Sequence, residues 1–169
     1  MNQSVKCIDV KGPYGTWSYE APSWADQFPI SMGDTYRHGG VSSAPYESLN
    51  LAFHVGDEAQ KVRENRAIIA KYLGVEPNRI SCGNQVHGLK AVEITEDLIG
   101  AVNYSADKLD KAYINLWNFI GEDLVVNGVP PENITIGGTD SVTEVDCYSY
   151  RREGGRTGRM ALFAMLQVR

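Results

Sequence analysis

Two short polar islands hold most of the side chains that could do chemistry. The first, RHGGVSSAPYESLNLAFHVGD (Arg37–Asp57), carries two of the chain's three His residues, a Gly pair, an Arg, three Ser and an Asn. The second is Asn84-Gln85-Val86-His87-Gly88. A neutral imidazole is a frequent zinc ligand and a natural acid/base near neutral pH. His87, in a Gly-flanked turn after two amides, could therefore bind a metal or move a proton; its plainer reading is a structural His bonded within the turn. Asn84 and Gln85 could orient the ring, bind substrate, or cap the turn. In the first island, Gly-Gly amides, the hydroxyls of Ser42, Ser43 and Ser48, and the guanidinium of Arg37 could hold a phosphate. The same composition also suits a surface loop built from turn formers. A third cluster, Arg151, Arg152, Arg156 and Arg159 around Gly154-Gly155, could bind an anion. Its plainer role is to anchor a loop on carboxylates or helix C-termini, and that role is expected here.

The elements that must position these residues follow from apolar spacing. Val5, Cys7 and Val10 suit an early strand, and Trp17-Ser18-Tyr19 another. Leu49, Leu51 and Phe53 alternate with Asn50, Ala52 and His54, which predicts a short strand presenting Asn50 and His54 on its polar face. Asp57, with Gln60 three residues on, reads as a helix N-cap with a variant capping box. Ala59, Val62, Arg66, Ile69 and Leu73 follow helical spacing, and Gly74 is a suitable C-cap. A strand is expected from residues 79–82 into the second island, and another at Lys90–Ile94. A second helix is expected from about Ala106 to Asn127, ended by Gly128 and Pro130-Pro131. Ile134–Ile136 and Val145–Tyr150 read as strands, and Met160–Val168 as a closing buried strand.

Composition narrows the classes. A chain of 169 residues fits one domain with a real core. A net charge of −5 and a pI near 5.2 disfavour a general nucleic-acid or anionic-membrane binder, which needs a positive field. No apolar run is long enough to span a bilayer, and MNQSVKCIDVKG lacks the apolar stretch of a signal peptide. A cytoplasmic location is expected. Cys7, Cys82 and Cys147 are scattered and odd in number, which suits reduced thiols. Nothing in these patterns states an oligomeric form.

Three stretches, in order, carry a resemblance: Arg37–Arg66 (RHGGVSSAPYESLNLAFHVGDEAQKVRENR), Asn84–Gly88 (NQVHG) and Ser149–Ala161 (SYRREGGRTGRMA). Together they resemble the laccase-domain family, also described as multicopper polyphenol oxidase-like or purine nucleoside phosphorylase-like. The resemblance implies an α+β fold, a layered α/β/β/α sandwich with mixed sheets. It implies one laccase-type domain over residues 1–169, interrupted near 95–111. It implies a zinc enzyme that phosphorolyses adenosine, inosine or methylthioadenosine and deaminates adenosine; copper-dependent phenol oxidation is attributed to some members. The partners implied are a purine nucleoside and phosphate. The family's metal is held by two His and one Cys, and His87 matches one of the His. On this pattern Arg37 and His87 are the catalytic candidates. Arg37 and the Ser42–Ser48 loop would lodge phosphate, and Asn50 and Asn84 would position sugar or base.

The other two ligands belong to an ADC motif and an HAGWRG-type motif, and neither occurs in the chain. Either the central block has been deleted, or these 169 residues omit a central block that the full protein carries. Loss of central strands would leave apolar faces and free edges, so continuous patterning on both sides favours the second. A non-catalytic remnant acting as an interaction module is the rival reading. A polyphenol oxidase with copper is a third, disfavoured because three His are too few for a multicopper centre.

Overall fold

A computed structural model describes residues 5–82 and 116–167. The chain opens with a hairpin. Strand β1 (Val5–Gly12) and strand β2 (Gly15–Pro22) pair antiparallel from Val5 opposite Pro22 to Gly12 opposite Gly15. Pro13 and Tyr14 make the turn, and Gly15 takes φ +121° there, a conformation closed to most side chains. Strand β3 (Ile30–Thr35) and strand β4 (Leu162–Leu166) complete a sheet of order β1-β2-β3-β4, with all pairings antiparallel. The last strand in sequence thus lies beside the third. Helix α1 (Ala59–Leu73) packs on one face, and helix α2 (Leu116–Val126) precedes the long return to β4.

The core sits between α1 and the sheet. Trp17, Tyr19, Ala21 and Phe163 rise from the strands and meet Ile68 and Ile69 of the helix, with Leu49 and Leu51 closing one end. Its aromatic centre is tight. Trp17 stacks on Tyr19 with ring centroids 5.5 Å apart, and Phe163 meets the Tyr19 ring edge-on at 5.0 Å. Such pairs add modestly to the area they bury.

The α+β expectation holds, as do both early strands and the α1 spacing. Gly74 caps α1 at φ +70°, its N–H reaching the carbonyls of Ala70 and Lys71. The described sheet is a single antiparallel one; no second sheet of the expected α/β/β/α sandwich lies among the described residues. The expected start of α2 near Ala106, and the strand at Lys90–Ile94, lie outside them.

Four expected strand segments differ. Residues 49–53 are irregular because the Asn50 side chain bonds the backbone of Ala52 at both its N–H and its C=O, each at 3.1 Å. This local loop replaces a ladder. Residues 80–82 follow a 3₁₀ turn (Pro77–Arg79) without strand pairing. Residues 134–136 and 145–150 are loop and turns. In the latter region Arg152 donates to the carbonyls of Ser141 (2.9 Å), Val142, Glu144 (2.8 Å) and Cys147, so a guanidinium takes the place of a strand partner. The loop-anchoring reading of the Arg cluster thus holds for Arg152. Strand β4 is present but is not buried: only Phe163 is, while Leu162 is 63% and Leu166 76% exposed. No helix among the described residues is long and apolar enough to cross a membrane.

Candidate functional site

The Arg37–Asp57 stretch leaves β3 and folds into a loop pinned from three sides. The first pin is internal. The Arg37 carbonyl accepts from the N–H groups of both Ser48 (2.9 Å) and Leu49 (2.7 Å), and Ser42 N–H donates to the Ser48 carbonyl at 2.9 Å. Gly40 N–H donates to Ser48 Oγ at 3.0 Å. The Gly pair is needed here for space. A Cβ on Gly40 would stand 2.3 Å from the Ser48 carbonyl, and one on Gly39, at φ +85°, 2.6 Å from the Trp17 side chain.

The second pin is α1. Asn65 is fully buried on the core face between Val62 and Ile69. Its Oδ1 accepts from Val41 N–H (2.9 Å), and its Nδ2 donates to Ser42 Oγ (2.9 Å) and to the carbonyls of Ser48 (3.0 Å) and Asn50 (2.9 Å). Asp57, expected as the N-cap, lies one residue before it. The N-cap is Glu58, with no side-chain cap bond. Asp57 instead turns back to the loop, accepting from Ser42 Oγ at 2.6 Å and Asn50 Nδ2 at 3.0 Å. Gln60 donates forward to Glu64 rather than back to the cap.

The third pin is the C-terminal Gly- and Arg-rich loop. Arg37 forms an ion pair with Glu153, and its guanidinium carbon lies 4.6 Å from the centre of the Tyr148 ring. Glu153 also accepts from Arg152 (2.9 Å) and Thr157. Burial alone would raise the Glu153 carboxyl; the bonds from Thr157, Arg152 and Arg37 outweigh it and hold the group below its ordinary value. Tyr148 is buried, its hydroxyl donating to the Tyr46 carbonyl at 2.6 Å, and burial pushes its ionisation upward. Arg159 N–H donates to Asn50 Oδ1 at 3.0 Å.

The first and last sequence motifs thus meet in space. Within the first, Ser42 and Asn50 are buried and bonded inside the protein. Asn50 was expected on an exposed face; it is fully buried, because its side chain knits Ala52, Asp57 and Arg159 together. Arg37 spends Nη1 on Glu153 and Nε on the Glu47 carbonyl. His38 is exposed and meets Asp146 at 2.9 Å, and His54 is exposed on a 3₁₀ turn (Phe53–Val55). Asn84 and His87 lie outside the described residues.

Sequence reasoning passed over Asn65, Glu153 and Tyr148. A signal existed for Asn65, three residues after Val62 and four before Ile69 on the core stripe. It also passed over a cationic rim, where Arg66 holds the Leu51 carbonyl at 2.8 Å and lies 4.4 Å over the exposed Phe53 ring, with Arg63 5.9 Å from the same ring.

Among the described residues no group of three or more His, Cys, Asp or Glu could hold a metal ion. His87 alone remains of the implied set, and a single imidazole makes no closed site.

The model of the family described as multi-copper polyphenol oxidoreductase laccase matches residues 31–109 and 100–167, in two stretches that share 100–109. A purine nucleoside phosphorylase of Streptomyces coelicolor is 55% identical over 57 residues, which cover 34% of this chain and 24% of that protein. One from Pseudomonas aeruginosa is 40% identical over 72 residues, covering 43% and 28%. The chain therefore spans only about a quarter of the length of these relatives. The crystal structure of the Bacillus licheniformis hypothetical protein YfiH superposes with a TM-score of 0.77 at 16% identity, over 96% of this chain and 98% of that one, so the fold is shared nearly end to end. With the family's model covering most of its length, the chain belongs to the multi-copper polyphenol oxidoreductase laccase family.

Proposed function

We propose that this chain is a purine nucleoside phosphorylase-type protein. In the reaction a phosphate oxygen bonds to the ribose anomeric carbon while the bond from that carbon to the purine nitrogen breaks. The purine leaves and takes a proton from solvent. One observation carries the reading: the family's polar loop is held as a rigid wall with donors left over. Arg37 keeps its second terminal nitrogen, and Ser48 keeps its hydroxyl proton, without a partner among the described residues. Both suit a phosphate oxygen. Ser42 and Asn50 act in this reading by holding the wall, since their own groups are spent. Asn84 would position sugar or base, and His87 would serve in proton transfer. Zinc, or copper in its place, would be held in part by His87. The name carried by the relatives supports the substrate class. Adenosine deamination, in which water replaces the 6-amino group and ammonia leaves, is the finer part of the proposal.

The test is incubation with inosine in the presence and absence of phosphate. Hypoxanthine and ribose 1-phosphate should form only with phosphate; no release under either condition overturns the reading. Ammonia release from adenosine tests the deaminase half separately. The absent ADC and HAGWRG motifs favour a second reading, a non-catalytic member that keeps the wall as an interaction module. Calorimetric binding of inosine without turnover would support it.

A further inference from the structure

The two edges of the sheet differ in how they meet solvent. Natural edge strands carry charges, prolines or bulges, because unpaired backbone groups otherwise recruit another strand. Edge β1 follows this rule: Lys6, Asp9 and Lys11 lie along it, Lys6 pairs with Asp26, and Asp9 accepts from Ser18 at 2.6 Å. Strand β4 is the other end of the described sheet and reads Leu-Phe-Ala-Met-Leu, with no charge and no proline.

The backbone phase of β4 can be read from its flanks. Thr35 N–H donates to the Ala161 carbonyl at 3.0 Å, and Gln167 N–H to the Pro29 carbonyl at 2.7 Å. Odd-numbered residues therefore aim their backbone groups at β3. By alternation, the N–H and C=O groups of Leu162, Ala164 and Leu166 aim at the far edge. The same three residues have exposed side chains. Backbone donors and acceptors without a partner strand among the described residues thus coincide with exposed apolar side chains.

We propose that β4 pairs with β4 of a second copy of this chain, antiparallel about a two-fold axis at Ala164. The strand is complementary to its own image. Ala164 meets Ala164, small against small at the axis, and Leu162 meets Leu166 of the other copy on either side. These residues would exchange about six hydrogen bonds, two at each facing pair. No charge in the strand meets its own image, which a strand carrying a single sign of charge could not avoid. A two-fold pairing is also the commonest way soluble chains associate. The two sheets become one, with the α1 helices on one face and the paired leucines on the other.

Light scattering of the full chain across a dilution series tests this. The expected mass is twice that of the chain. Ala164→Lys places like charges at the axis and should raise the dimer dissociation constant on the order of ten-fold or more. Ala164→Pro removes an outward N–H while sparing the ladder to β3, and should also give monomer. Circular dichroism should show both variants folded. In the dimer, hydrogen exchange should protect the amide of Ala164; in the variants, Leu162 and Leu166 should exchange fast while Phe163 and Met165 stay protected. A monomer at every concentration, or a dimer that survives both substitutions, overturns the proposal. So does a monomer whose Ala164 amide is still protected, since the chain would then be covering its own edge.

Discussion

Arg37 and Glu153 stand 116 residues apart in sequence and form one ion pair, with only 15% and 18% of their side chains exposed. The pair joins the loop after β3 to the loop before β4. Glu153 is shared with Arg152 and Thr157, so one carboxylate gathers three donors. The pair also limits Arg37 as an anion binder, because Glu153, shared with Arg152, already offsets part of its charge before a phosphate arrives.

Replacing Glu153 by Gln should therefore cost stability and sharpen anion binding together. The amide keeps the shape but leaves Arg37 with an uncompensated charge in a half-buried site. A loss of about 2 kcal/mol is expected in urea unfolding. Phosphate binding, measured by calorimetry, should tighten. A variant as stable as the parent would show that the pair contributes nothing.

The same carboxylate sets a pH dependence. Glu153 is held below its ordinary value of 4.5 by Thr157, Arg152 and Arg37 against the opposing effect of burial. The unfolded chain thus takes up this proton at higher pH than the folded one. Stability from this group is full above about 4.5 and is lost as pH falls below it. Midpoints of thermal unfolding between pH 6 and pH 3 should fall less steeply in Glu153→Gln than in the parent. Parallel curves would remove the group from the acid response.

Asn65→Ala should be costly for a different reason. One amide serves Val41 N–H, Ser42 Oγ and the carbonyls of Ser48 and Asn50. Its removal orphans several groups where no water reaches, since Asn65 is fully buried. About 3 kcal/mol of destabilisation is expected. Hydrogen exchange should speed at Val41 and Ser42, whose N–H groups belong to the pinned loop. An effect below about 1 kcal/mol would mean the loop stands without its helix pin.

These residues show why some of the structure was legible in sequence and some was not. Alternation and helical spacing revealed β1, β2 and α1, because each buries one regular face. The strand reading failed at 49–53 and 145–150, where side chains replaced ladder partners: Asn50 bonds Ala52, and Arg152 gathers carbonyls. Alternating apolar residues cannot report a competing hydrogen bond from a distant or local side chain. The first and last motifs do come together in space, since Arg37 pairs with Glu153. Motif reading alone could not separate side chains that build the wall, such as Asn50, from those left to face a ligand.

The cysteines give an independent check on burial. Cys147 is buried, and burial together with Glu144 and Glu20 pushes its thiol up to about 11. The reactive species is the thiolate. Iodoacetamide at neutral pH should leave Cys147 unmodified in the folded protein and alkylate it on unfolding. Cys7 and Cys82 are exposed and should be modified in the native state. Native alkylation of Cys147, seen by peptide mass mapping, would place the 145–150 turn elsewhere.

Metal content provides the last prediction. The implied set of two His and one Cys is reduced in this sequence to His87, and no group of three or more suitable side chains exists among the described residues. A lone imidazole competes poorly with water and chelators for zinc, since affinity comes from several ligands arranged together. After dialysis against EDTA and then metal-free buffer, zinc should stand well below one per chain by mass spectrometry. The melting temperature should not change on chelation. Retention of one zinc per chain would show that residues beyond those described complete the site. His87→Ala should then release the metal, and the intact mass of the same sample would tell whether the extra ligands come from a longer chain.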